Sequence, residues 1–301
     1  MSRMKVYIIF LSVLFIGCDK ELDFDGFKNT PEVVVQSHFT TDSVFHVLLG
    51  LSSDIMQTGF QNKVISDAEV VILDSLGNII QLVHTSNGHY RSTEYPKEGM
   101  PYRLDIRTSD GKNIRSRDLI PSDSLKASVD TVTGPANRLD LKLKLNDPAN
   151  SENRYILRLL EYSTHYQLNE KTQVIDSVTA WHPMSIISSN NIFEISNSLR
   201  GNVLNFEMFE DEFFDGQQYL LNVMIDRVSL LEGGNKSVSS KLMVYLKSVN
   251  DPCYQYYLGI LKNSRNYGGP FSTNFNPEDN IENGHGIFSG YRFYQKIIDL
   301  K

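Results

Sequence analysis

Seven histidines, 36 acidic side chains and one interior cysteine carry most of the side-chain chemistry open to this 301-residue chain. His38, His46, His84, His89, His165, His182 and His285 show no HxH, HxxxH or Cys–His spacing of the kind a zinc site uses. His84 and His89 flank a predicted turn and are placed to approach each other, but strand-end histidines are ordinarily surface residues. The run Glu210-Asp211-Glu212 with Asp215 offers hard oxygen ligands suited to calcium. It lacks the Asp/Asn alternation and turn glycine of a calcium loop, so a solvated acidic turn is the expectation. Asp279 and Glu282 beside Gly284 are read the same way. No Gly-x-Ser-x-Gly elbow and no glycine-rich phosphate loop is present. Cys253 is expected to be a small buried apolar residue. With a single Trp, Trp181, and the aromatics mostly at alternating strand positions, core packing is favoured over sugar stacking. These patterns predict no catalytic residues, no cofactor and no metal, hence a non-enzymatic protein.

The second cysteine stands in a different setting. Arg3 and Lys5 open the chain, Val6 to Ile16 is apolar apart from Ser12, and Gly17-Cys18 closes the run. About 11 apolar residues are too few for a membrane-spanning helix, which needs about 20. A charged start, a short apolar segment and a small residue before the cut mark a secretory signal peptide. Phe15-Ile16-Gly17-Cys18 resembles the lipobox of bacterial lipoproteins, with Phe15 where Leu is usual. The resemblance implies lipidation at Cys18, by fatty acyl chains such as palmitate, and a membrane anchor at the new N-terminus. Asp19, Glu21, Asp23 and Asp25 resemble the acidic signal that sends Bacteroidota lipoproteins to the cell surface. The expected location is therefore the outer membrane, lipid-anchored and facing the surface, with the periplasmic face as the alternative.

The elements that must position these groups are strands. Net charge is −7, and cleavage removes Arg3 and Lys5, making it two units more negative. A nucleic-acid partner needs a clustered basic face and is not expected. With Cys18 lipidated, Cys253 has no disulfide partner, so the exported chain relies on its hydrophobic core. Val70 and Ile72 alternate with polar neighbours, as do Tyr102, Leu104 and Ile106. Asn87-Gly88 and Asp110-Gly111 are hairpin turns, because Asn, Asp and Gly tolerate the positive φ required. Short strands with turns about every 10 residues predict a sandwich. Leu139, Leu141, Leu143 and Leu145 alternate with charged residues, and further strands are expected near 155–162, 203–209, 219–225 and 242–249. Asp251 and Pro252 can start a helix, with Cys253, Tyr256, Tyr257, Ile260 and Leu261 on one face. That helix is expected to dock on the sheet containing Leu139–Leu145.

The predicted organisation is a signal peptide over 1–17 and an acidic tether over 18–30. An immunoglobulin-like or transthyretin-like β-sandwich follows over 31–120, then a linker over 121–137. The rest, 138–301, is expected to be a second β-rich domain with one helix near 252–263.

Ser66-Asp67-Ala68-Glu69-Val70, Asp74 with Gly77, and Gly88-His89-Tyr90 form one motif set. Gly99 with Tyr102-Arg103-Leu104-Asp105-Ile106, and Asp110-Gly111-Lys112, continue it. The tail adds Tyr254 to Leu261, Gly269-Pro270-Phe271, Asn280-Ile281-Glu282-Asn283-Gly284 and Gly286-Ile287-Phe288. In this order the motifs resemble a Bacteroidota lipoprotein family catalogued as domain of unknown function 4249. The resemblance implies an outer-membrane address and frequent genetic company with TonB-dependent transporters. It brings no catalytic residues. The expected function is that of a non-enzymatic accessory subunit of a TonB-dependent transporter or other outer-membrane complex. The alternative is a free-standing lipoprotein that captures a glycan or peptide.

Overall fold

The computed structural model describes residues 30–53, 63–133, 138–169, 174–184, 186–188, 205–226, 237–265 and 277–300. The signal peptide, Cys18 and all of the tether before residue 30 lie outside the described residues. The chain is mainly β, with one helix near its C-terminus among the described residues. No helix there is long and apolar enough to cross a membrane. Glu32–Ser52 and Asn62–Lys301 make up one compact unit.

The first sandwich is built from β1 (Val33–Phe39), β2 (His46–Leu51), β3 (Glu69–Asp74), β4 (Ile79–Ser86), β5 (His89–Arg91), β6 (Pro101–Arg107) and β7 (Asn113–Leu119). Strict alternation sends one face inward: Val33, Val35 and Phe39 from β1, Val70 and Ile72 from β3, Tyr102, Leu104 and Ile106 from β6. The strand order is β1-β2-β5-β4-β3-β6-β7, with β4 shared between the layers: Ile79–Leu82 pair with β3 and Val83–Ser86 with β5. Rings of Phe39 and Phe45 meet Tyr102 across the core, with centroids 5.7 and 4.9 Å apart.

A second sandwich follows. One layer holds β8 (Lys126–Thr133), β9 (Arg138–Asn146), β12 (Ile187–Ser188) and β14 (Gln218–Asp226), in the order β12-β14-β9-β8. The other holds β10 (Arg154–Asn169), β11 (Val174–Pro183), β13 (Glu207–Glu210) and β15 (Ser237–Val249). The four leucines of β9 pack against Leu157 and Leu159 of β10 and Leu242, Val244 and Leu246 of β15. Burying such a side chain contributes roughly 1.5–3 kcal/mol. β8 pairs with β9 from Lys126 to Thr133, so the stretch read as a linker carries a strand of this layer.

One strand belongs to both sandwiches. β16 (His285–Asp299) runs parallel to β1 from His285 to Gly290, then antiparallel to β15 from Tyr291 to Asp299. The result is a continuous twelve-stranded sheet. Phe288 sits in the first core, and Tyr294 and Ile298 pack against the second.

The helix α1 spans Asp251–Arg265. Asp251 faces Arg154 at 3.2 Å and Gln255 at 3.1 Å, and its charge also suits the helix N-terminus. Docking differs from expectation. Cys253, Tyr254, Leu258 and Leu261 pack with Ile156, Phe206, Met208 and Val249, on the outer face of the β10–β15 layer. Leu139–Leu145 lies on the opposite side of that layer. Tyr155, Leu157 and Leu159 of β10 serve the second core while Ile156 between them faces the helix, so this part of the strand is covered on both sides.

Candidate functional site

The acidic residues come together, though not as a solvated turn. β9 ends at Asn146, and Asp147 turns inward beside the loop that follows β13. Asp147 and Asp211 are buried and Asp215 is exposed; oxygens of all three lie within 4.8 Å of one another. Among the described residues this is the group of three that could hold a cation. Each of the three carboxylates already accepts a hydrogen bond from the protein. Tyr155 donates its hydroxyl to Asp147, and the Gly216 amide donates to the same carboxylate at 3.0 Å. The Asn153 amide donates to Asp211 at 2.8 Å and the Asn150 amide to Asp215 at 3.0 Å. Burial pushes the Asp147 pKa up, and the Asp211 and Asp215 charges add to the shift. The chemistry that follows is structural: carboxylates cap backbone donors that the two loops leave open. Glu212 and Asp215 are exposed as expected; buried Asp211 corrects the reading as a solvated turn.

The histidines pair differently from the sequence reading. His89 meets His46 on the adjacent strand, ring nitrogens 2.7 Å apart, whereas the His84 ring lies tilted against Tyr90, centroids 5.2 Å apart. His38 bonds the Tyr257 hydroxyl at 2.9 Å. His285 lies between Asp279, at 3.0 Å, and Glu32. Its pKa is raised chiefly by the Asp279 hydrogen bond, with Glu32 adding. Asp279 is thus tied to histidine, and the Glu282 backbone is bridged to Arg115, so neither is arranged as a calcium loop. Cys253 is buried and its thiol pushed up to about 11 by burial, which leaves it neutral.

The motif residues have clear structural duties. Asp74 accepts the amides of Leu76 and Asn78, both at 2.9 Å, and closes the β3–β4 turn with Gly77 at φ 84°. Tyr90 donates to the Ile65 carbonyl and accepts from the Ala68 amide, each at 3.1 Å. In the tail, Asn280 clasps Phe288 twice: Nδ2 donates to its carbonyl at 2.7 Å and Oδ1 accepts its amide at 3.0 Å. Ser116 donates to the Asn280 carbonyl at 2.7 Å. These clasps set β16 in place beside β1 and β7.

Where β7 meets β16, Asp118 accepts the Gly290 amide at 3.0 Å and Asn250 Nδ2 at 2.8 Å. Burial still dominates and raises its pKa from 3.8 to about 6. The folded chain therefore holds this proton more tightly than the unfolded one, and the associated stability is lost as pH rises from about 4 to 6. His285, also raised, contributes stability below 6.5 that is lost as pH passes its folded value. Burial lowers His38 and His46, whose contributions run the opposite way below 6.5, so Asp118 is tested by difference: the midpoint of Asp118→Asn minus that of wild type is expected to rise between about pH 4 and pH 6. A difference that stays constant over this range would contradict the Asp118 assignment.

Several apolar side chains face solvent. Leu76 at the β3–β4 turn and Ile79 and Val83 on the outer face of β4 are 76%, 67% and 65% exposed. Singly such residues are ordinary, and here three occur at one hairpin.

The fold and its clasps define a double β-sandwich protein whose shared motifs fasten strands. The chain belongs to the family described as domain of unknown function (DUF4249), which it matches over residues 19–297. No curated protein matches it. Among solved structures it is similar to a tetra-tandem repeat in the extending region of a large adhesion protein, at 8% identity. That match covers 88% of this chain and 74% of the other with a TM-score of 0.18, too low to support any inference.

Proposed function

We propose that this chain is a lipoprotein of the Bacteroidota outer membrane, anchored through Cys18 and facing the cell surface. It acts there as a non-enzymatic accessory subunit of a TonB-dependent transporter or another outer-membrane complex. The observation that carries the reading is the short apolar run ending in Gly17-Cys18, followed by Asp19, Glu21, Asp23 and Asp25. The duties of the family motifs support it, since they hold strands together instead of presenting reactive groups. The exposed Leu76, Ile79 and Val83 supply an apolar surface for the partner.

The anchor and the partner are tested separately. Wild-type chain is expected to incorporate labelled fatty acid and Cys18→Ser to incorporate none; labelled mutant would sink the anchor. From mildly solubilised outer membrane, the wild type is expected to co-purify with a transporter. Ile79→Asp with Val83→Asp should weaken that association at least about tenfold, since charge in an apolar contact costs more than 1.4 kcal/mol. Solitary migration of the wild type would count against the accessory role.

A further inference from the structure

The outer face of the large sheet, beside α1, carries two cations that no acidic side chain among the described residues pairs with. Arg158 of β10 and Lys247 of β15 stand there two residues apart on paired strands, and the neutral His38 of β1 feels both charges. The ladder register places Arg158 opposite Tyr245 and Lys247 opposite Phe293, on the same face. The Lys247 ammonium stands 4.0 Å from the Tyr291 ring centroid and 5.7 Å from that of Tyr245. Arg158 lies 5.6 Å over Phe206, whose edge meets Tyr257 at 5.5 Å. Tyr245 in turn stacks on Phe293 at 5.2 Å.

Among the described residues neither Arg158 nor Lys247 has a salt-bridge partner. Asp42 is felt by Tyr245 but is not among the charges acting on Lys247 or His38. Cys253 faces Lys247 from the helix, but its thiol is neutral. Burial, with Arg158 adding, brings Lys247 down to about 8, and burial with the two cations brings His38 down to about 3. Two like charges on a half-buried aromatic surface repel each other, and the rings return only part of their lost hydration. The arrangement is more notable in a chain whose net charge is negative. Paired cations with flanking rings are what an anion attached to a flat body requires: a forked guanidinium, a point charge and a stacking surface.

We propose that this face is a binding site for a small ligand bearing an oxyanion, carboxylate or phosphate, on an aromatic or similarly flat body. Arg158 and Lys247 hold the oxyanion, and the rings of Tyr291 and Phe293 pack against the body. The site stands on this side-chain arrangement alone and does not depend on the anchor or the transporter.

Titration calorimetry on the full-length chain in mild detergent tests it, with benzoate, phenyl phosphate and uncharged benzamide as probes. At least one of the two anions is expected to bind about tenfold or more tightly than benzamide, and the preference between them identifies the oxyanion. Affinity should fall as pH rises through 8, because Lys247 loses its charge. Lys247→Met and Arg158→Met should each weaken binding about tenfold or more, whereas the exposed Lys241→Met should not. Lys247→Met should also unfold at equal or higher temperature than wild type, since it removes an uncompensated cation. Equal binding of benzamide, wild-type affinity in both Met variants, or no anion binding by the folded chain at about 10 mM would each overturn the proposal. A Lys247→Met variant that melts well below wild type would overturn it too, by making the cation part of the core.

Discussion

Removal of residues 285–301 will abolish the cooperative fold of both sandwiches, not of the second alone. β16 is hydrogen-bonded to β1 through six residue pairs and to β15 through nine. Phe288 is fully buried, with its ring 4.7 Å from Phe39, and without it the first core is open on one side. Leu242, Val244 and Leu246 would keep their inward faces, but β15 would become an edge with unpaired backbone groups. Arg292 adds polar ties: it donates to the carbonyls of Pro121 and Ser122 and pairs with Glu98 at 2.6 Å. A large aromatic removed from a core costs about 3–5 kcal/mol by itself. Domains of this kind are stable by only about 5–15 kcal/mol. Losing Phe288, Ile287 and two ladders together exceeds that margin. The expected result is an insoluble chain, or a soluble one without a sigmoidal urea transition. Phe288→Ala alone should retain a transition at lower urea. A truncated chain that kept a cooperative transition would show that β1–β7 close their own core.

Much of the double sandwich can be read from periodicity. Leu139, Leu141, Leu143 and Leu145 all point inward, as do Val70 with Ile72 and Leu104 with Ile106. Asn87, Gly88 and Gly111 hold the positive φ that the turn dipeptides announce. The misses share one cause: a period states which face is buried but not what covers it. β8 alternates Lys126, Ser128 and Asp130 with Ala127, Val129 and Thr131, and such polarity resembles a linker until β9 lies beside it. The parallel pairing of β1 with β16 joins residues about 250 positions apart in the chain, and nothing local signals it. Asp211 and Glu212 are adjacent and chemically alike; only the amide of Asn153, brought from another loop, makes the first a buried acceptor. Arg158 and Lys247 fit an ordinary solvated strand face in the sequence. They become a candidate site only once Tyr291 of β16 and Phe206 set rings against them. The tail motif had the opposite fate, since its distinctive residues turned out to be clasps.

Gly290→Ala is expected to cost at least about 3 kcal/mol, far more than Gly77→Ala, although only Gly77 sits at positive φ. At Gly77 an added Cβ meets nothing within 4 Å, so the cost is the strain of the left-handed backbone, about 1–2 kcal/mol. At Gly290 the Cβ would lie 2.3 Å from the Leu119 carbonyl oxygen and 2.6 Å from the Ile120 nitrogen. Both are backbone atoms, so no rotamer change relieves the clash. Leu119 cannot retreat easily, because its carbonyl accepts Asn250 Nδ2 at 2.6 Å and Asp118 beside it holds the Gly290 amide. Ile120, next along, is fully buried in the first core. Relief must therefore come from lifting β16 at the residue where it leaves β1 for β15, which disturbs both ladders. Urea denaturation of the two variants against wild type measures the difference. With a two-state transition, Gly290→Ala should shift the midpoint by at least about one and a half times as much as Gly77→Ala. Equal shifts would mean that β7 and β16 separate at little cost, and that the junction is a loose contact between two independently stable sandwiches.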